Sequence, residues 1–235
     1  MSDPHRVSDR WIPLVLQAND SFFPTGTYAH SFGLEGLVQA GVIHDRESLR
    51  EFLLHEVLPQ LARTDLPVAA QAWAAAGDPV DWDRLSVLCE LGAATRGTRE
   101  LRQAAAAIGA QRLDLAARLH GGLAAEFNRR AAEGAWPRPS CVAAAIEGRT
   151  FGAPQEAVVA AVLYGGVSAL VAASVKLLRL GQNAIHTLLA EVLAEGQGAC
   201  AEAARFPLES IGSSNPWWDI ASARHETANF RLFIS

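Results

Sequence analysis

From Ala157 to Val175 the chain reads AVVAAVLYGGVSALVAASV, a run without one charged residue. A run of this kind has to leave water, either in a bilayer or in the middle of a protein. Its length reaches the roughly 18 residues at which a spanning helix becomes possible. Its composition argues the other way, because it is mostly Ala, Gly and Ser, with few Leu and Ile and no Phe. It also stands alone, without an aromatic belt or the usual basic flank. We therefore expect a buried central helix, and a membrane span over residues 157–175 is the rival reading. Gly165, Gly166, Ala169 and Ala173 would let neighbouring helices approach it closely.

A buried helix needs other helices around it, and the rest of the chain supplies their signals. Leu49, Phe52, Leu53, Val57 and Leu61 follow helical spacing, with Asp45, or Ser48 with Glu51, as the N-cap signal. Pro59 and Pro67 bend or divide this region. Gly77-Asp78-Pro79 is a break, and Asp81 can cap the helix that follows. Arg96-Gly97-Thr98 can interrupt a long helix that runs on towards Leu119 and ends at Gly121-Gly122. Trp136 to Pro139 reads as a loop, with a short helix from Ser140. Pro154 suits the first turn of the apolar helix, which should end near Gly181. A last long helix is expected over 182–204, weakened by Gly196 and Gly198. Sustained period-two alternation and hairpin turns are missing from the sequence. The expected architecture is a single all-α domain over 1–235, a bundle of about nine helices with a C-terminal tail over 206–235. Residues 1–10 are expected to be disordered.

The 235 residues, half of them apolar, suffice for one sizeable core. A net charge of −5 lacks the basic excess that a phosphate backbone demands, so nucleic acid is not an expected partner. Lys176 is the sole lysine; every other basic residue is Arg, whose planar fork suits fixed carboxylate pairing. Cys89, Cys141 and Cys200 are odd in number and widely spaced, which fits reduced core thiols. The first ten residues, MSDPHRVSDR, lack the apolar core of a secretion signal. Both features point to the cytoplasm.

Enzyme motifs are scarce. The sequence has no Gly-Lys pair for a phosphate loop and no G-x-S-x-G elbow. Gly196 to Ala201 matches GxGxxA but follows a helix where a dinucleotide site needs a strand. The seven histidines include no i,i+4 or HxH pair, so one helix face cannot present two metal ligands. His30 and Ser31 are neighbours on an expected helix, where their side chains diverge by about 100°. Ser31 and Glu35 would share a face. A small helical enzyme using His30, Ser31 and Glu35 stays open, beside plain helix packing.

Two segments stand out from the helical background. The first is Asn19-Asp20-Ser21-Phe22-Phe23-Pro24-Thr25-Gly26-Thr27, a structured turn whose Thr27 can cap a helix carrying the stripe Ala29, Phe32, Gly33, Gly36, Leu37 and Ala40. The second is the tail, with Trp217, Trp218 and the ending Arg231-Leu232-Phe233-Ile234-Ser235. Chain ends are usually polar and loose. Aromatic residues and Arg are the types enriched at protein interfaces. Docking on the chain's own core and docking on a partner explain this tail equally well.

The turn NDSFFPTGTYAHSFGLE resembles the N-terminal signature of the urease accessory protein family UreF. Glu100-Leu101-Arg102 with Gly109 resembles that family's "ELR…G" helix, and Ala173 to Gln182 (ASVKLLRLGQ) its "AAVRL-PLGQ" segment. His225-Glu226 followed by Arg231-Leu232-Phe233 and Ser235 is similar to its "HE…RLF-S" ending. Lys176 stands where Arg is common and Arg179 where Pro is common, which should leave the helix less kinked near Leu180. The resemblance implies an all-helical homodimer with no catalytic residues and no cofactor of its own. It implies binding to UreH (called UreD in many systems) and recruitment of the GTPase UreG. Nickel and GTP would then sit on partners during maturation of the urease apoprotein. On this reading Trp217, Trp218, His225, Glu226, Arg231, Leu232, Phe233 and Ser235 meet UreH. A second surface, towards UreG or the dimer, would involve Pro24, Gly26, His30, Ser31, Glu35, Lys176 and Gln182. A helical adaptor from an unrelated pathway is the alternative.

Overall fold

The computed structural model describes residues 9–212, 215–225 and 231–234. Among them there is no strand, and the all-α architecture is as expected. The helices in chain order are α1 (Trp11–Ala18), α2 (Leu34–Gln39), α3 (Arg46–Phe52), α4 (Leu58–Arg63), α5 (Asp65–Ala75), α6 (Trp82–Ala94) and α7 (Arg99–His120). They continue with α8 (Gly122–Glu133), α9 (Ser140–Phe151), α10 (Gln155–Leu178), α11 (Gln182–Glu195), α12 (Gln197–Glu202) and α13 (Pro216–His225). Short 3₁₀ turns lie at Thr27–Ala29, Ala203–Arg205 and Leu208–Ser210.

The caps follow from the sequence. The Asp45 carboxylate accepts from Ser48 N at 2.8 Å, that of Asp81 from Arg84 N at 2.9 Å, and Thr98 Oγ1 from Leu101 N at 3.3 Å. The break at 96–98 is complete: α6 stops at Ala94 and α7 starts afresh at Arg99. Between α3 and α4 the chain makes a π-turn over Leu53–Val57 and runs on without a loop. That turn keeps Leu49, Phe52, Leu53, Val57 and Leu61 all buried.

Two apolar clusters share α5 and α10. One gathers α2, α3, α4 and α11 around Val167, Leu170 and Val171 of α10. The other gathers α6, α7, α8 and α9 around Val68, Ala69 and Ala72 of α5, with Val162 touching both clusters. The apolar run is therefore a core helix, but along one face only. Val158, Val159, Leu163, Val167 and Leu170 are buried, whereas Tyr164, Ala172 and Val175 stay exposed. Gly166 lies against Leu61, with 3.1 Å between a Cβ placed there and Leu61 Cδ1, so close approach is used on the buried side. The helix stops at Leu178, with Arg179 in the left-handed conformation (φ 48°) as its cap, rather than running on to Gly181. Inside the bundle Arg96 pairs with Asp65 and Arg112 with Glu147. Burial pushes the Glu147 carboxyl above the ordinary range, and Arg112 pulls it part of the way back.

Two expectations need correction. The helix after the N-terminal turn does not begin at Thr27: a 3₁₀ turn covers Thr27–Ala29, His30 is extended, and α2 starts only at Leu34. The cause is Phe32 and Gly33, both at positive φ (52° and 87°), which turn the chain before the helix can start. The tail is also not without regular structure, since Pro216–His225 forms α13. Of the residues expected to be disordered, 1–8 lie outside the described residues, and Asp9 and Arg10 form a turn leading into α1.

Candidate functional site

The site grows from Glu35. Gly33 and Gly36 sit where α2 meets α13 almost backbone to backbone. A Cβ on Gly33 would lie 2.8 Å from Trp218 Nε1, and one on Gly36 would lie 2.5 Å from the Ala221 carbonyl oxygen. Positive φ and lack of room both call for glycine at 33. This close approach lets Trp218 Nε1 donate to the Phe32 carbonyl at 2.6 Å and sets its ring edge-on to Phe52, with centroids 5.2 Å apart. It also brings α13 far enough over for His225 to reach Glu35, although 190 residues separate them in sequence.

Glu35, 2% exposed, accepts four hydrogen bonds. Oε2 takes His225 Nε2 at 2.9 Å and Phe233 N at 3.2 Å; Oε1 takes Leu232 N at 2.9 Å and Gln39 Nε2 at 3.2 Å. Four acceptor positions are what an ionised carboxylate offers. On the far side of the imidazole, Nδ1 faces Glu100 Oε2 of α7 at 3.2 Å, while Glu100 Oε1 takes Arg231 Nη2 at 2.7 Å. Arg231 also donates to the Ile234 carbonyl, and Ile234 N donates to the Ala29 carbonyl at 2.8 Å. Lys176 on α10 lays its ammonium 5.0 Å from the centre of the buried Phe233 ring. Thr98 and Ser222 join α7 to α13 through their hydroxyls at 3.1 Å, and Asn215 Nδ2 donates to Glu56 Oε2 at 2.7 Å.

The stretches quoted above for their resemblance to a family, from four distant parts of the chain, thus meet in one place. They contribute Ser31 and Glu35, then Glu100, then Lys176, then His225, Arg231 and Phe233. The profile of the UreF family matches residues 43–193. The urease accessory protein UreF of Granulibacter bethesdensis is 34% identical over 227 residues, covering 91% of this chain and 89% of that protein. The chain belongs to the UreF family. Proteins of the same name from Azorhizobium caulinodans (33% identical, covering 91% of this chain and 90% of the relative) and Bacillus sp. strain TB-90 (30%, 94% and 97%) align over nearly all of it. This UreF chain is accordingly a urease accessory protein.

Within this UreF structure the expected site residues separate by depth. His225, Phe233, Ser31 and Glu35 are buried, and Trp218 is half-buried, so they hold the surface from beneath. Ser31 Oγ accepts from Glu35 N at 3.4 Å, which steadies the start of α2. His30 is half-buried with its ring centroid 5.8 Å from that of Phe32; burial lowers its pKa, and the charge of Glu100 offsets part of that. Pro24 is exposed, and Gly26 takes φ 77° at the head of the 3₁₀ turn. Gln182 is exposed at the start of α11. Trp217, Arg231 and Leu232 face outward. Glu226 and Ser235 lie outside the described residues. Among the described residues no three His, Cys, Asp or Glu are grouped to hold a metal ion. Sequence reading passed over Tyr28, Ile234 and the acceptor role of Glu100. The first two were legible as apolar residues in segments already singled out, whereas the third depends on a contact 125 residues away.

Proposed function

We propose that this UreF chain is a non-catalytic scaffold that binds UreH (UreD) and recruits the GTPase UreG, influencing when GTP is hydrolysed as nickel is delivered to urease. One observation carries the reading. A tail pinned from below by Glu35 and Glu100 leaves Leu232, Ile234 and the neighbouring Tyr28 exposed by 70%, 64% and 73%. Ile234 N donates to the Ala29 carbonyl, which sets the end of the tail beside the turn that carries Tyr28. Large apolar residues held rigidly in water lose little freedom when a partner covers them, which is how interface anchors act. Trp217, 78% exposed on α13, and Phe22, 93% exposed in the N-terminal turn, extend the same chemistry. GTP and nickel belong to the partners on this reading, and the chain acts in the cytoplasm. The open face of α10 along Tyr164, Ala172 and Val175 is the seam we assign to a homodimer.

Deleting the tail after Gly212 would strip Trp218, His225 and Phe233 from the core as well as the patch, so surface charges make the cleaner test. The double variant Leu232→Asp/Ile234→Asp, co-expressed with UreH and UreG, should lose both in a pull-down while its melting curve matches wild type. Full retention of both partners by that variant would move the interface elsewhere.

A further inference from the structure

We propose that the cavity between the two apolar clusters binds a small primary ammonium on an apolar body, of the size and class of benzylamine, held through Asp219. The site plays no part in the scaffold reading above. Leu61 and Leu170 wall the cavity from one cluster and Cys141 from the other, and Val162 touches both. Its volume is about 170 Å³. An apolar cavity of about 150 Å³ stays dry and takes up benzene. This one has room for a ring and a short polar arm.

Part of that volume exists because a side chain is missing. Gly165 lies in the wall, in the middle of α10, where glycine weakens a helix relative to Ala. A Cβ at Gly165 would meet nothing closer than Asn19 Oδ1, at 3.9 Å, so packing does not demand the glycine. Charge sets the class of ligand. Two guanidiniums line the cavity and both are committed, Arg96 to Asp65 and Arg112 to Glu147. Asp219 lines it too, and its carboxylate has no hydrogen-bond or ion-pair partner among the described residues. Gly97 is an exposed residue of the same wall, and a Cβ placed there would fall inside van der Waals contact of the Asp219 carboxylate. The bare backbone at Gly97 thus gives Asp219 its place where the cavity meets the surface. Burial raises the Asp219 pKa: the carboxylate has lost water without gaining a cation. An ammonium beside it supplies the partner, and the aromatic rings of Phe32 and Trp218 in the wall favour a cation over a neutral group. An anion would meet Asp219 and find both guanidiniums occupied.

The test uses the full-length chain at pH 7, where benzylamine is protonated, with benzyl alcohol as the uncharged probe of the same shape. Amide shifts at Gly97 and at Ala105, also in the wall, are followed by two-dimensional NMR as each probe is added. Benzylamine should shift both amides saturably, with a Kd on the order of 1 mM, and should bind about tenfold more tightly than benzyl alcohol. Asp219→Asn keeps the shape and should erase that advantage while leaving benzyl alcohol binding unchanged. Gly165→Leu fills the cavity and should stop both probes while the circular dichroism matches wild type. Failure of benzylamine to shift the two amides, equal binding of the two probes to wild type, an advantage that survives in Asp219→Asn, or binding that persists in Gly165→Leu overturns the proposal. Should a variant fold poorly, the comparison of the two probes on the wild-type chain decides alone. No partner protein enters the assay, so failure here leaves the scaffold reading standing.

Discussion

Replacing Glu35 by Ala removes a group that joins α2, α13 and the tail. Its carboxylate accepts from His225 at 2.9 Å, Leu232 at 2.9 Å and Phe233 at 3.2 Å, besides Gln39. Each hydrogen bond to a charged group contributes about 1.5–3 kcal/mol, but bonds to one shared group do not add. Removing one partner of a buried ionic contact costs about 3–5 kcal/mol, since the other is left unpaired. We take about 4 kcal/mol, which weakens tail docking roughly a thousandfold at 1.4 kcal/mol per factor of ten. For a chain of this length each kcal/mol corresponds to roughly 2–4 °C, so the melting temperature should fall by about 8–16 °C. Thermal denaturation followed by circular dichroism gives the global figure, and amide protection at Leu232 and Phe233 gives the local one. Glu35→Gln, which keeps one acceptor oxygen, should fall in between. A melting temperature within about 2 °C of wild type, with both amides still protected, would refute the account of Glu35 as the anchor.

Three further outcomes are expected. Gly109→Ala should destabilise despite the better helix propensity of Ala, by about 1–3 kcal/mol in urea unfolding, because its Cβ would fall within van der Waals contact of the Arg138 carbonyl oxygen. Burial pushes the Cys89 thiol up to about 12 and raises Cys141 still further, whereas Cys200 is only half-buried, so maleimide labelling counted by mass should reach Cys200 first and the other two only on unfolding. Because burial holds His30 below its ordinary pKa, the folded chain binds that proton less readily than the unfolded chain, and stability should drop as pH falls below about 6.5. His30→Gln should lack this component in melts taken between pH 5 and 7.

What was legible in the sequence was local. Asp45, Asp81 and Thr98 mark helix starts with their own side chains, and Gly77 to Pro79, Gly97 and Gly121 mark stops, so the boundaries of α3, α6 and α7 follow from short-range chemistry. The late start of α2 was not legible. Phe32 at positive φ contradicts its own preference, and only Trp218, packed against Gly33 from far along the chain, accounts for it. The helix α13 escaped notice for a related reason: its two faces are not apolar and polar in turn, since Ala221, Ser222 and His225 point inward while Trp217 and Ile220 point out. Of the site, the apolar and aromatic character of the tail could be read, but not which of its residues are anchors and which are surface. That division is set by two carboxylates 65 residues apart in sequence, Glu35 and Glu100, closing on one histidine.

The π-turn at Leu53–Val57 bears on how this chain tolerates changes in length. A π-turn holds one residue more than the α-turn it replaces, so the continuous helix from 46 to 63 carries an insertion already absorbed. Deleting His55, which is exposed, would return the helix to regular winding and keep Phe52 and Leu61 on the core side. The same deletion early in α10 would rotate everything beyond it by about 100°, carrying Ala173 out to the exposed place of Ala172 and Val175 into the buried place of Ser174. Homologues one residue shorter should therefore place their gap at 54–56, where a change of length alters the winding of one turn and leaves the packing of the bundle intact.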